Sequence, residues 1–219
     1  MPSQTFLALP EEKRRRVIGA AVSEFARNAY AVASLDRIAA AAGVAKGSLY
    51  QYFASKQDIY GWLLTHHLPE RKRSAEPAPD AIGGDLFDWL EAAFLGGLSL
   101  FRHEPELAAL GARAALPTSD PAAARVHAAL HESTRSALCA RLRSAKRAGS
   151  VRADVPVELA ADLVSSVMGT GLLGGLARCA GATLDEVLAN PARLQELPRR
   201  QLLRHVRQTT DLLRRALAP

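Results

Sequence analysis

Apolar residues recur along this chain at three- and four-residue spacing, with no sustained two-residue alternation and no Asn-Gly or Asp-Gly hairpin signal. That period predicts helices throughout. The first opens at Pro10, whose fixed φ suits a first turn, and Glu11 and Glu12 follow where acidic residues favour a helix N-terminus. Ile18, Ala21, Val22, Phe25, Ala26 and Ala29 form its apolar stripe. A short helix follows Ser34, a predicted N-cap, and buries Leu35, Ile38, Ala39 and Ala42 before Gly43 stops it. A third covers Lys46 to Phe53. A fourth opens at Ser55 or Lys56 and runs through Ile59, Trp62, Leu63 and Leu64 toward His66 and His67.

Pro69 to Asp80, PERKRSAEPAPD, has the composition of a linker. Beyond it one helix carries Phe87, Leu90, Phe94, Gly97 and Phe101, and another runs from Pro105 to about Leu116. A long one extends from Pro121 to about Ala148, and a fourth from Pro156 to about Cys179. Thr183 and Glu186 have capping-box spacing. The last helix, after Pro198, buries Leu202, Val206, Thr209, Leu213 and Leu217. The expected fold class is all-α.

Composition narrows the function. The chain has 219 residues, 48% hydrophobic and 23% charged, enough for a substantial core. A net charge of +6 favours a polyanionic partner, nucleic acid first. Cys139 and Cys179 are too few for a disulfide framework or a zinc site, and they fit a reducing cytoplasm. The start, MPSQTFLALPEEKRRR, lacks a signal-peptide apolar run. The longest uncharged stretch, Leu163 to Ala177, falls short of the ~20 residues that cross a bilayer. No membrane partner, cofactor or metal is expected.

Two short helices meeting at Gly43, braced by a longer one, predict a helix-turn-helix whose second helix enters the DNA major groove. Lys46 and Lys56 offer charge to phosphates, and Tyr50 and Tyr52 offer hydroxyls or ring surface. Gly47 permits close backbone approach. Lys13 to Arg16 either reaches phosphates or forms a solvated face. The run GVAKGSLYQYFASK, with IAAAAG before it and QDIY after, resembles the DNA-binding region of the tetracycline-repressor (TetR) family of bacterial transcriptional regulators. The likeness covers roughly Ala8 to Trp62. It implies that Ser34 sits beside a phosphate and that Lys46, Gly47, Ser48, Tyr50 and Gln51 lie on the recognition helix. It also implies that Tyr52 and Lys56 hold the DNA backbone, while Ile38, Leu49 and Phe53 belong to the core. Ala45 stands where that family often has a capping Ser. Gln51 and Lys46 are the candidates for base reading, since Gln pairs with adenine and Lys with guanine.

The resemblance further implies a homodimer with two parts. Residues 1–55 would form the helix-turn-helix domain and residues 56–219 a helical effector-binding and dimerisation domain, the helix from Lys56 shared as connector. The partners would be a palindromic double-stranded operator and a small, largely apolar effector. Candidate effector contacts are Trp89, Phe94, Phe101, His127, His131 and Thr134. At ~100° per residue, His131, Thr134 and Leu138 lie within roughly 40° of His127, so both histidines should share the apolar stripe. Three readings of that pair stay open: core-edge residues, ligand contacts, or two ligands of a metal ion. The glycines of MGTGLLGGLA, Met168 to Ala177, suggest close helix approach across a dimer axis or a broken helix. No nucleophile–base pattern or phosphate loop supports an enzyme. A metal protein using His127 and His131, or a DNA-binding protein without an effector, are the alternatives.

Overall fold

The computed structural model describes residues 1–75 and 85–219, and among these every regular element is helical. The helices are α1 Gln4–Leu7, α2 Glu11–Arg27, α3 Leu35–Ala42, α4 Lys46–Tyr52, α5 Lys56–Trp62, α6 Leu68–Ala75, α7 Leu86–His103, α8 Pro105–Arg113, α9 Pro121–Arg147, α10 Val157–Ser166, α11 Leu172–Cys179, α12 Leu184–Ala189 and α13 Arg199–Leu217. They fall into two compact units. One comprises Met1–Glu70 with Glu106–Leu130, the other Arg71–Pro105 with His131–Pro219.

The first unit is organised around aromatic rings. Phe6, on the short α1, is fully buried and lies 4.8 Å from the Phe53 ring, 5.6 Å from Trp62 and 5.8 Å from Tyr52. Nothing in the helical periodicity signals α1, because a single turn holds one buried residue. On α2 the buried stripe is Val17, Ala21, Val22, Phe25 and Ala26. Val17 rather than Ile18 opens it, and Ala29 lies beyond the helix and is exposed.

α5 and α6 are continuous through a widened turn, Leu63–His67, in which the Leu68 amide donates to the Leu63 carbonyl. Pro69 follows at once. A proline inside a helix lacks its own donor and crowds the carbonyl four residues back, and a wide turn relieves both. The first part of the expected linker is therefore helical, through Ala75. Its remainder, Glu76 to Asp80, lies outside the described residues.

In the second unit α7 and α13 pack along each other. Asp85 caps α7 in a reciprocal capping box with Asp88. Arg214 of α13 donates to both carboxylates, at 2.6 and 3.1 Å, and lies 4.7 Å over the Phe87 ring. The capping box predicted at Thr183 and Glu186 is formed. Thr210, not Thr209, is the buried threonine of α13.

α10 and α11 form one helical run, Val157–Cys179, joined by a second wide turn at Val167–Gly171. Among the described residues it is the one helix long and apolar enough, by length and composition, to span a bilayer. The helix thus extends well beyond its uncharged stretch. Two of its outward residues, Leu159 and Leu163, are 65% and 46% exposed. Gly175 is buried within the chain, and a Cβ there would lie 2.2 Å from Nε2 of His205 on α13. Close helix approach does explain this glycine, but the neighbour is in the same chain. Gly97 differs, because a Cβ there meets nothing within 4 Å.

These two glycines should respond oppositely. Gly175→Leu is expected to lower the unfolding midpoint, as overpacking costs about 1–3 kcal/mol. Gly97→Ala should hold or raise it, since Ala in a helix gains roughly 0.5–1 kcal/mol over Gly. Thermal unfolding of both variants beside the parent checks the pair.

Candidate nucleic-acid interface

The surface that could meet DNA is built on α3 and α4, and three local devices orient them. Ser34 caps α3 through its side chain, accepting from the Asp36 amide at 3.2 Å. Gly43 ends α3 at φ 65°, a left-handed value that favours glycine, so the chain reverses into α4 within three residues. Glu24 of α2 braces the entry to α3. Its carboxylate accepts from the Ser34 amide at 2.9 Å and from Arg37 Nε at 3.0 Å. The hydrogen bond from Arg37, aided by the Ser34 amide, holds the Glu24 carboxyl below its usual range although burial opposes this.

α4 begins at Ala45 with no side-chain cap, as expected from the missing Ser. Its carboxyl end is held from outside. The Ser3 hydroxyl donates to the Gln51 carbonyl at 2.6 Å, and the Ser3 amide donates to the Tyr52 carbonyl at 2.9 Å. The N-terminal segment therefore caps the candidate recognition helix. Sequence reasoning missed Ser3 and Phe6, and the only signal was a Ser followed by one large apolar residue.

Lys46, Gly47, Tyr50 and Gln51 are exposed together on α4, with Ser48 half-buried. Leu49 faces the core, as do Ile38 and Phe53. Gly47 has a Cβ position open to solvent and no left-handed φ, so neither packing nor backbone conformation requires glycine there. Close approach of an outside molecule would. Lys46 Nζ lies 2.8 Å from Asp36 on α3, and this hydrogen-bonded carboxylate raises the ammonium pKa.

Two expected backbone contacts are placed differently. Tyr52 is 3% exposed, its ring packed near Phe6. Lys56 points inward, its ammonium donating to the carbonyls of Tyr30, Ala31 and Ala33 at 2.8, 3.2 and 3.0 Å. It also sits 4.6 Å over the Tyr30 ring. An ammonium has three donors, and here all three are engaged within the unit. In the Lys13–Arg16 run, Arg15 and Arg16 pair with Glu11 and Glu12 one turn earlier on an exposed face, and Arg14 donates to the Leu7 carbonyl. That is mostly a solvated surface.

The candidate effector residues differ in their surroundings. Phe94 and Phe101 are buried on α7. Trp89 is half-buried, with the Arg141 guanidinium 4.0 Å over its ring. His127 is buried and its Nε2 is 2.8 Å from the Tyr60 hydroxyl. His131 and Thr134 are exposed, so the two histidines do not share a buried stripe. The stripe on α9 breaks between its buried stretches, one at Ala123, Val126 and His127, the other starting at Leu138. Among the described residues no three His, Cys, Asp or Glu side chains are grouped to hold a metal ion.

An all-α chain with a helix-turn-helix exposing a polar second helix is the class of protein these features define. The family model for bacterial regulatory proteins of the tetR family matches residues 17–61. A crystal structure of a TetR family transcriptional regulator from Chloroflexus aurantiacus is 30% identical, with a TM-score of 0.68, and the alignment covers 100% of this chain and 99% of that one. This chain belongs to the TetR family of transcriptional regulators. The HTH-type transcriptional repressor SCO4008 of Streptomyces coelicolor is 37% identical over 75 residues, 34% of this chain and 39% of that protein. The transcriptional regulator FadR of Bacillus subtilis, in complex with stearoyl-CoA, has the same fold at 21% identity, a TM-score of 0.66, and coverage of 91% of this chain and 96% of that one.

Two outcomes follow from this geometry. Lys46→Ala should lower the salt slope of DNA binding by about one unit, whereas Lys56→Met should weaken binding with the slope unchanged, because it loosens the domain without removing a phosphate contact. Salt titrations of the two variants separate the roles. For Glu24, a folded-state pKa below the unfolded value means stability that is present above the unfolded pKa, roughly 4.3, and lost as pH falls through the folded value. The gap in unfolding midpoint between the parent and Glu24→Gln should therefore be full near about pH 7 and shrink toward about pH 3.

Proposed function

We propose that this regulator is a ligand-responsive repressor that binds a palindromic operator as a homodimer and is released by a small, largely apolar effector. The observation that carries the DNA-binding part is the shared exposed face of α4, with Lys46, Tyr50 and Gln51 beside a glycine the fold does not need. Gln51 and Lys46 would read bases, while Ser34, Ser48 and the backbone at Gly47 would meet phosphates. Tyr52 and Lys56 would act from within, shaping the helix-turn-helix rather than gripping the backbone. The sign of regulation follows the name of the Streptomyces relative, which matches over its helix-turn-helix portion only.

On this reading residues 1–55 are the DNA-binding domain and residues 56–219 the effector and dimerisation domain, with α5 common to both. Dimerisation is supported by apolar side chains left in water. Leu159 and Leu163 on α10 and Leu212 on α13 are 65%, 46% and 66% exposed, and a second copy would bury them. The apolar effector is supported by the phenylalanines of α7 and by the acyl-CoA in the FadR relative, which shares the fold. Phe94 and Phe101 are the first candidates to line that site, with Trp89, His131 and Thr134 at its margin. The protein would act by binding alone, in the cytoplasm.

The test begins with sedimentation and with selection of bound duplexes from a random pool. The expected result is a dimer and a near-palindrome with half-sites about 34–36 Å apart, or a suitable multiple. Leu163→Glu should leave the fold intact, shift the chain to monomer and weaken binding to the selected duplex. A monomeric parent bound to a single half-site would refute the dimeric operator reading.

A further inference from the structure

Between the helix-turn-helix and α9 lies a buried polar contact that DNA binding does not use. Tyr60 sits one turn beyond Lys56 on the same face of α5. It is buried, its ring 4.9 Å from Tyr30 and 5.0 Å from Phe25, and burial raises its hydroxyl pKa well above the usual value. The hydroxyl meets His127 Nε2 at 2.8 Å. Beside it α5 and α9 run near each other, and a Cβ at Gly61 would stand in ordinary contact with Val126, at 3.7 Å. At the exposed edge Arg125 donates to Gln57 at 3.3 Å.

These contacts form a continuous series within one unit. His127 on α9 holds Tyr60, and Tyr60 packs on Tyr30. Tyr30 lies under the Lys56 ammonium, which gathers the carbonyls of residues 30, 31 and 33. The next residue is Ser34, the cap of α3. α9 itself has 27 residues, about 40 Å of helix, and continues past Leu130 into the second compact unit.

We propose that the Tyr60–His127 hydrogen bond is the joint through which α9 sets the turn at residues 30–33, and so the placement of α3 and α4. Tyr60 and His127 are positioning residues on this account, not effector contacts. A buried hydroxyl–imidazole bond is directional and cannot be exchanged for water, so a shift of α9 carries Tyr60 with it. The apolar neighbours around it could slide. This inference rests on the DNA-binding reading above, and coupling of this kind is reciprocal, so duplex binding must also be felt at α9.

The test is amide hydrogen exchange on the full chain, with and without a saturating duplex selected from a random pool. In the parent, the duplex should change exchange at Ala124–Leu130 by roughly five-fold or more, the lower end of common coupling factors. The double variant Tyr60→Phe/His127→Leu removes both polar groups together, so it should melt near the parent, while either single change melts lower. With the double variant the duplex should still protect α4, but the change at α9 should fall to under about two-fold. Lys56→Met leaves the hydrogen bond in place, interrupts the series at its other end, and should blunt the same signal. An undiminished α9 response in either variant, or protection of α4 with no α9 response in the parent, overturns the joint. If no duplex protects α4 even in the parent, the DNA-binding reading itself fails and the joint falls with it.

Discussion

The Lys56 ammonium is the contact on which the arrangement of the DNA-binding unit depends. The stretch from Asn28 to Ser34 is a tight connection between α2 and α3, and its carbonyls at Tyr30, Ala31 and Ala33 turn toward one point. Without a cation, those oxygens would converge with no donor among them. With it, the turn is closed and α3 starts at a defined angle to α5. Glu24 supplies the opposite half of the arrangement, an anion that accepts the Ser34 amide and Arg37. One cation for the carbonyls before Ser34 and one anion for its amide orient α3 from both sides.

Much of this was legible in the sequence because the signals were local. Gly43 and Ser34 mark the ends of α3 through backbone requirements that a few residues can state. The family likeness of GVAKGSLYQYFASK names the helix pair, and alternate apolar spacing separates Leu49 and Phe53 from Lys46 and Gln51. The misses were non-local. That Lys56 turns inward depends on carbonyls more than twenty residues earlier. That Tyr52 is covered depends on Phe6, carried by a single helical turn whose existence no periodicity can show. The pairing of His131 with His127 fails because helix geometry gives angle but not neighbours. Both histidines do lie on one side of α9, yet the buried stripe on that side stops after His127 and resumes only at Leu138.

The glycines divide along the same line. Gly43 could be read directly, since its conformation is a property of one residue. Gly175 could be recognised as a place of close approach, but the partner, His205, is thirty positions away on another helix. A sequence pattern of small residues tells that something comes near and is silent on whether it belongs to the same chain. Exposed leucines carry the complementary information. Leu159, Leu163 and Leu212 are large, apolar and exposed, and among the described residues nothing covers them. Removing apolar area from water contributes roughly 25 cal/mol per Å², so the proposed dimer is better argued from these leucines than from the glycines.

The charge on α4 limits what one copy of this protein can do alone. Its sequence, KGSLYQY, has a single cation, and that cation is already paired with Asp36. Meeting a phosphate or a guanine requires Lys46 to leave the carboxylate or to share it, so the net electrostatic gain is smaller than a free lysine would give. Lys56 is engaged within the fold, and in the Lys13–Arg16 run Arg15 and Arg16 are paired with Glu11 and Glu12. The counterion-release contribution that dominates non-specific DNA affinity scales with the phosphates neutralised, and α4 itself brings one cation to it. On the proposed reading, what α4 would offer in excess is polar readout through Gln51, with the backbone at Gly47 open to a phosphate. Weak grip with specific readout is a combination that works when two copies act on one duplex. In the proposed dimer the second copy of α4 would bind as an intramolecular event at high effective concentration. On the proposed dimeric reading, the sparse charge on α4 and the exposed leucines of α10 and α13 would answer one need, a second copy on the same duplex.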